Sequence, residues 1–312
     1  MPHDFQAAFA RWNYYRQSAG LLPVEYDDEL AKGAAAHSRY LVKNHVRGAD
    51  AFIEDGQLRS AVISTGIRQE SQGNQWYTEL GSTAGQNSYV LRSSSMPADS
   101  ADLVDSMMAL GVSGLGLLDP QVATVGEGSF CQDSDCIITV SYKEGLTRGE
   151  FLSLYDVSTF GFNPLLGRVP FTKARLRKPV YFPSPGMQAR RTSLIGGSEP
   201  NPLTSCPGYS AQTGAPIWLE VGASASGDSD VTATNHSLED NGVEVESCEI
   251  DAANYSNPDG YFQPMLRSFL SATGAVMLIP REPLKPGHTY TVEITADSQP
   301  YKWSFSVAPG AQ

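Results

Sequence analysis

The chain has no apolar run approaching the ~20 residues that a membrane-spanning helix needs, so no helical span is expected. It is short of cations: 22 Lys and Arg stand against 34 Asp and Glu, for a net charge of −12. Phosphate contacts require Lys and Arg, so general affinity for nucleic acid is not expected. There are four cysteines, with no CxxC and no His-bearing metal spacing. No Gly-x-Ser-x-Gly elbow occurs, so a serine-hydrolase triad lacks its usual signature. The start, "MPHDFQAAFARWNYY", lacks the apolar stretch of a secretory leader. The expectation is that a native export leader has been removed ahead of Met1. No internal repeat or extended low-complexity tract is present.

The 312 residues are enough for two cored domains, and 41% hydrophobic content suits a folded protein. The even number and local grouping of the cysteines suggest the pairs Cys131–Cys136 and Cys206–Cys248. Disulfides persist in oxidising compartments, so export (periplasm, cell surface or extracellular space) is expected. One segment departs from the acidic background. Arg168, Lys173, Arg175, Arg177, Lys178, Arg190 and Arg191 come with no acidic residue between them. Such a strap can dock on the acidic body itself or on an anionic surface.

Periodicity predicts a first helix capped at Asp4, with Phe5, Ala8, Phe9, Trp12 and Tyr15 on one face. A second, with the acidic first turn Asp27, Asp28 and Glu29, carries Leu30, Ala34, His37, Leu41 and His45 near one face. "RQESQGNQWYTELGSTAGQNSYVL" (68–91) reads as a long polar loop that alternates like a strand only at its end. "PADSADLVDSMMAL" predicts a third helix with Leu103, Met107 and Leu110 inward. "VATVGEG" and "CIITVSY" read as paired strands. "TRGEFLSLYDV" reads as a short helix, and "FPSPG" as a boundary. Short strands then follow: "PIWLEVG", "GVEVESCEI", "AVMLIP", "HTYTVEIT" and "YKWSFSV". "LKPGHTY" resembles the tyrosine corner of immunoglobulin-like domains, in which the tyrosine hydroxyl bonds back to nearby backbone.

Three stretches in order carry a family resemblance over about residues 5–143: "FARWNYYRQSAGLLPVEYDDELAKGAAAHSRYL", "GNQWYTELGSTAGQNSYV" and "LVDSMMALGVSGLGLLDPQVATVGEG". They resemble the CAP superfamily of cysteine-rich secretory proteins, antigen 5 and pathogenesis-related proteins, in its bacterial secreted form with a C-terminal β-sandwich. The resemblance implies an α-β-α sandwich with a wide cleft, often lined by two histidines and two acids that can hold a metal ion. Here Arg68 stands at the first histidine's place, followed by Glu70. Gly-Glu-Asn has become Gly85-Gln86-Asn87, Ser113 replaces the last histidine, and Met107 a usual tryptophan. Arginine keeps its proton and cannot ligate a metal, so no metal or other cofactor is expected.

The expected fold class is therefore α+β: a CAP-like α-β-α domain (1–143), a linker with the basic strap (144–189), and an all-β Ig-like or fibronectin-type sandwich (190–312). Arg68, Glu70, Gln86, Asn87 and Ser113 are the cleft candidates for a lipid, sugar or peptide. The leading reading is non-catalytic binding. On it, Arg68→Ala abolishes binding and leaves the thermal midpoint nearly unchanged. The alternatives are a secreted hydrolase of peptide or cell-wall material, which needs a histidine converging on Ser113 or Glu70, and a structural or adhesive module. His37 and His45 lack a third ligand, and His37 reads as a core-edge histidine bonded to backbone. "SGDSDVTATNHSLEDNG" reads as a solvated loop rather than a calcium site. Asn235 and Asn254 sit in glycosylation sequons. Trp76 and Tyr77 are either a stacking surface or packing.

Overall fold

The structure is a computed structural model. It describes residues 5–54, 57–60, 65–94, 100–144, 154–156, 175–196, 200–210, 212–222 and 230–312. Its first helix, α1 (Gln6–Ser18), buries Ala8, Trp12 and Tyr15 on the expected face. Asp4 lies outside the described residues. α2 (Asp28–Lys43) is capped by the Asp27 carboxylate, which accepts from the Glu29 and Leu30 amides. The helix ends before His45, which sits at φ 51°, so His37 and His45 do not share a helix face.

The polar stretch after Arg68 is less irregular than its composition implies. Thr78 caps a short helix, α3 (Glu79–Gln86), by accepting from the Gly81 amide. α4 (Ser100–Met108) and α5 (Ser113–Leu117) follow. Six strands form the first sheet: β1 (Glu25–Tyr26), β2 (Ala51–Glu54), β3 (Gln57–Ser60), β4 (Ser88–Ser93), β5 (Val122–Gln132) and β6 (Asp135–Glu144), in the order β1-β5-β6-β4-β2-β3. The predicted strands β5 and β6 pair antiparallel, and the Cys131–Cys136 disulfide closes their hairpin. Helices cover both faces. Ile138 and Leu91 pack with α1 and α4, while Ile137 and Val90 pack under α2. Glycine permits the second approach: a Cβ at Gly128 would lie 2.1 Å from the Ala35 backbone nitrogen.

The second unit is two five-stranded sheets face to face. One runs β13 (Ser247–Ile250), β14 (Ala275–Pro280), β10 (Ile217–Gly222), β8 (Arg175–Phe182), β7 (Tyr155–Asp156). The other runs β12 (Val243–Glu244), β11 (Ala233–Asp240), β15 (Thr289–Ala296), β16 (Gln299–Val307), β9 (Gln188–Ala189). Tyr290, Val292 and Ile294 alternate inward against Ile217, Leu219 and Leu278, as the period of two requires. The Tyr290 hydroxyl accepts from the Lys285 amide at 3.0 Å, the bond expected of the corner. Cys206 and Cys248 are bonded.

Four expectations for this half are corrected. The unit is not all-β, because α6 (Phe262–Thr273) lies between β13 and β14 and buries Leu266 and Leu270. It ends at Gly274 (φ 60°), where a Cβ would lie 1.7 Å from the Gly222 carbonyl oxygen. The polar stretch read as a solvated loop contains β11, whose partner β15 supplies the apolar inner face. The stretch read as linker and strap supplies β7, β8 and β9, so strand pairing in this unit begins ahead of residue 190. "FPSPG" falls inside the unit, between β8 and β9. The helix expected in "TRGEFLSLYDV" falls mostly outside the described residues, as do Arg168 and Lys173. Arg191, at the strap's end, docks on the first unit: its guanidinium donates to Asp102 at 2.6 Å and to Ser106 at 2.8 Å.

The two units share one hydrophobic core. Trp218, Phe182 and Met277 from the sheet of β10 pack in the same cluster as Met108, Leu115 and Leu118. Tyr15 meets Phe182 edge-on at 5.8 Å, and the Ile195 amide donates to Ala109. That sheet is therefore covered on one face by its partner sheet and on the other by the helical unit.

Candidate functional site

The cleft candidates separate into two groups. His37 on α2 and Glu70 in the following loop come together although 33 residues apart: Nδ1 and Oε1 are 2.8 Å apart. Nε2 lies 2.8 Å from the Ile67 carbonyl oxygen. The other Glu70 oxygen accepts from the Thr78 amide. Both ring nitrogens face oxygen acceptors, so every bond is made only when the ring carries two protons or Glu70 supplies one. Neither side chain is exposed to solvent. α3 closes the lid over them: a Cβ at Gly85 would lie 2.4 Å from His37 Cε1. The backbone bond expected for His37 is present. The bond to Glu70 is the convergence a hydrolase would need, but the pair is sealed from substrate. It ties the loop to α2 and α3.

The second group sits on β4. Arg68, in the 3-10 turn Thr65–Arg68, pairs through Nη2 with Asp50 at 2.6 Å. The other Asp50 oxygen accepts from the Val90 amide at 2.6 Å, and the Asp50 amide donates to the Val90 carbonyl. Burial pushes the Asp50 carboxyl up from its ordinary value, and Arg68 and the Val90 amide offset this only in part. Tyr89 is hydrogen-bonded to Ser113 at 3.1 Å. Burial first and the Asp50 charge second push the Tyr89 phenol up, so it stays protonated. Arg68 is thus held by Asp50 and Ser113 by Tyr89, two residues that motif reading did not single out; the two pairs adjoin at Val90, whose backbone binds Asp50. Gln86 and Asn87, at the end of α3, are exposed. Asn87 contributes its carbonyl, which accepts from Tyr142 and Ser141.

Trp76 and Tyr77 are half-buried, and Trp76 carries the Arg39 guanidinium over its ring at 4.4 Å. Among the described residues no three His, Cys, Asp or Glu side chains converge in a way that could hold a metal ion.

A separate cavity of about 60 Å³ lies on the face of the sheet opposite His37 and α2, the face that Tyr89 shares. α1 contributes Ala8 and Trp12, α4 contributes Val104 and Met107, and the sheet contributes Leu91 and Val140. Its wall is mostly apolar, with Ser100 and the buried Glu127 as its polar members. Tyr89 is next to it in the sheet, since it pairs with Val140 and faces the same way as Leu91.

Residues 9–108, which contain most of α1, all of α2 to α4 and most of both groups, match the model of the cysteine-rich secretory protein family. This stretch resembles the CAP superfamily. No curated protein matches the chain. In this CAP-like unit the position that the resemblance assigns to a ligand histidine holds an arginine already neutralised by Asp50. The unit carries a disulfide, and no described helix is long and apolar enough to cross a membrane.

Proposed function

We propose that the protein is an exported, non-catalytic binding protein of the bacterial CAP type, and that its CAP-like unit takes the apolar part of a small amphipathic ligand. The observation that supports this reading is the apolar cavity between α1, α4 and the sheet. Apolar cavities stay dry and accept apolar groups, and the thioether of Met107 adapts to an irregular occupant. The polar cleft is the weaker alternative, because its arginine is ion-paired and its histidine enclosed. The C-terminal unit serves as an Ig-like scaffold in this reading, on the support of its facing sheets and the Tyr290 bond.

The test is a fluorescence titration of the full chain with cis-parinaric acid, an apolar tail with a carboxylate head. Ala8→Leu narrows the cavity and is expected to weaken binding by at least about tenfold, the effect of roughly 1.4 kcal/mol. Arg68→Ala is expected to retain binding. The reading fails if wild-type protein binds no parinarate, or if Ala8→Leu binds as well as wild type. Loss in Arg68→Ala alone would return the function to the cleft.

A further inference from the structure

A groove of about 440 Å³ opens beside the Cys131–Cys136 hairpin, away from both places described above. Its walls come from the turn after α2 (His45, Arg47), from β4 and the residue after it (Arg92, Ser93, Ser94), and from the hairpin tip (Ser134). Phe52 of β2 is half-buried and supplies an apolar patch. None of Arg68, Glu70, Gln86, Asn87 or Ser113 lines it.

The groove inverts the charge of its surroundings. On a chain of net charge −12, it gathers two arginines and a histidine around a single lining carboxylate. That carboxylate, Asp135, is already paired with Arg92 Nη1 at 2.7 Å. The Arg92 Nη2 group donates to the Val46 carbonyl, so Arg92 ties the turn to the hairpin. Arg47 is different. It is exposed and has no ion pair among the described residues. One fixed arginine, one uncommitted arginine and exposed hydroxyls at Ser94 and Ser134 suit a ligand with both an acid group and hydroxyls.

The same surface continues along the hairpin. Lys43 donates to Gln132 at 2.6 Å and lies over the rings of Phe130 and Trp76. Cations interleaved with aromatics present both charge and flat apolar faces, as a pyranose ring with a charged substituent requires. Nucleic acid fits less well, because repeated phosphates on an acidic chain call for more cations than this strip offers.

We propose that this groove binds an acidic sugar unit of a polysaccharide, with its carboxylate or sulfate ester on Arg47, its hydroxyls on Ser94 and Ser134, and its apolar face toward Phe52. The experiment is calorimetric titration of the full chain with oligogalacturonate, dextran sulfate and neutral dextran at low salt. One or both acidic glycans are expected to bind and neutral dextran is not, and which acid binds names the substituent. Arg47→Glu is expected to weaken binding by at least about tenfold with an unchanged thermal midpoint. Lys178→Glu, in the strap, is expected to bind as wild type. The proposal is overturned if neither acidic glycan binds, or if Arg47→Glu matches wild type. It is overturned equally if a single-stranded oligonucleotide, and neither glycan, binds in an Arg47-dependent way.

Discussion

Trp218→Ala is the most informative perturbation of the fold. Trp218 is fully buried, stacks on Phe182 with ring centroids 4.4 Å apart, and reaches across to the CAP-like unit. Its ring abuts Gly114 so closely that a Cβ there would lie 2.3 Å from Cη2. Truncating a buried tryptophan costs about 3–5 kcal/mol, because the cavity left behind collapses only in part. Of this, roughly 1 kcal/mol belongs to the stack on Phe182. At roughly 2–4 °C per kcal/mol for a large chain, the midpoint should fall by roughly 6–20 °C. Differential scanning calorimetry should show one transition moving as a whole, since the cluster around Trp218 contains side chains of both units. Trp218→Phe should lose less than half as much. It keeps the stack and removes an indole N–H that has no partner among the described residues. Two separate transitions, only one of which moves in Trp218→Ala, would refute the shared core.

Further outcomes follow from individual contacts. The Cys206–Cys248 bond spans 42 residues and the Cys131–Cys136 bond only 5, so loop-closure entropy predicts losses of about 4 and about 2 kcal/mol in the two double-serine variants. Urea midpoints check the order, and equal losses would count against it. Arg68→Ala, expected from sequence to leave stability nearly untouched, should instead cost about 1–3 kcal/mol, because it leaves the buried Asp50 carboxylate without its cation. The Asp50 carboxyl is already held above its ordinary value, and losing Arg68 raises it further. The cost should therefore grow as pH rises, and a pH-independent cost would contradict the pairing. Glu249 is pushed up from 4.5 to about 7, by burial first and by Asp251 second. Its folded form binds the proton more tightly than the unfolded form, so its contribution to stability is full below 4.5 and is lost as pH rises toward 7. Glu249→Gln should flatten that part of the urea-midpoint profile between pH 4.5 and 8, and an unchanged profile would reject the assignment.

What the sequence alone determined is local. α1 and α2 repeat their apolar residues every three or four positions, and the acidic run Asp27, Asp28 and Glu29 marks where α2 starts. β15 and β16 alternate through Tyr290 and Trp303, and Leu284–Tyr290 carries its turn with it. Such signals need only neighbours within a turn or a strand. α3 escaped notice because three of its eight residues are Gly or Ser, and its stability comes from the Thr78 cap and from packing on α2. β11 escaped because Leu238 is its one large buried apolar residue and β15 supplies the rest of that face.

The sites lay further out of reach. His37 meets Glu70, Arg68 meets Asp50, and Arg92 meets Asp135 across 18 to 43 residues. A pairing between charges depends on where two chain segments cross, and no periodicity of either segment records the crossing. The sheet of β10 is buried on both faces for the same reason. Its sequence shows that it is apolar, and only the packed chain shows that one face meets a second sheet and the other meets Met108 and Leu118.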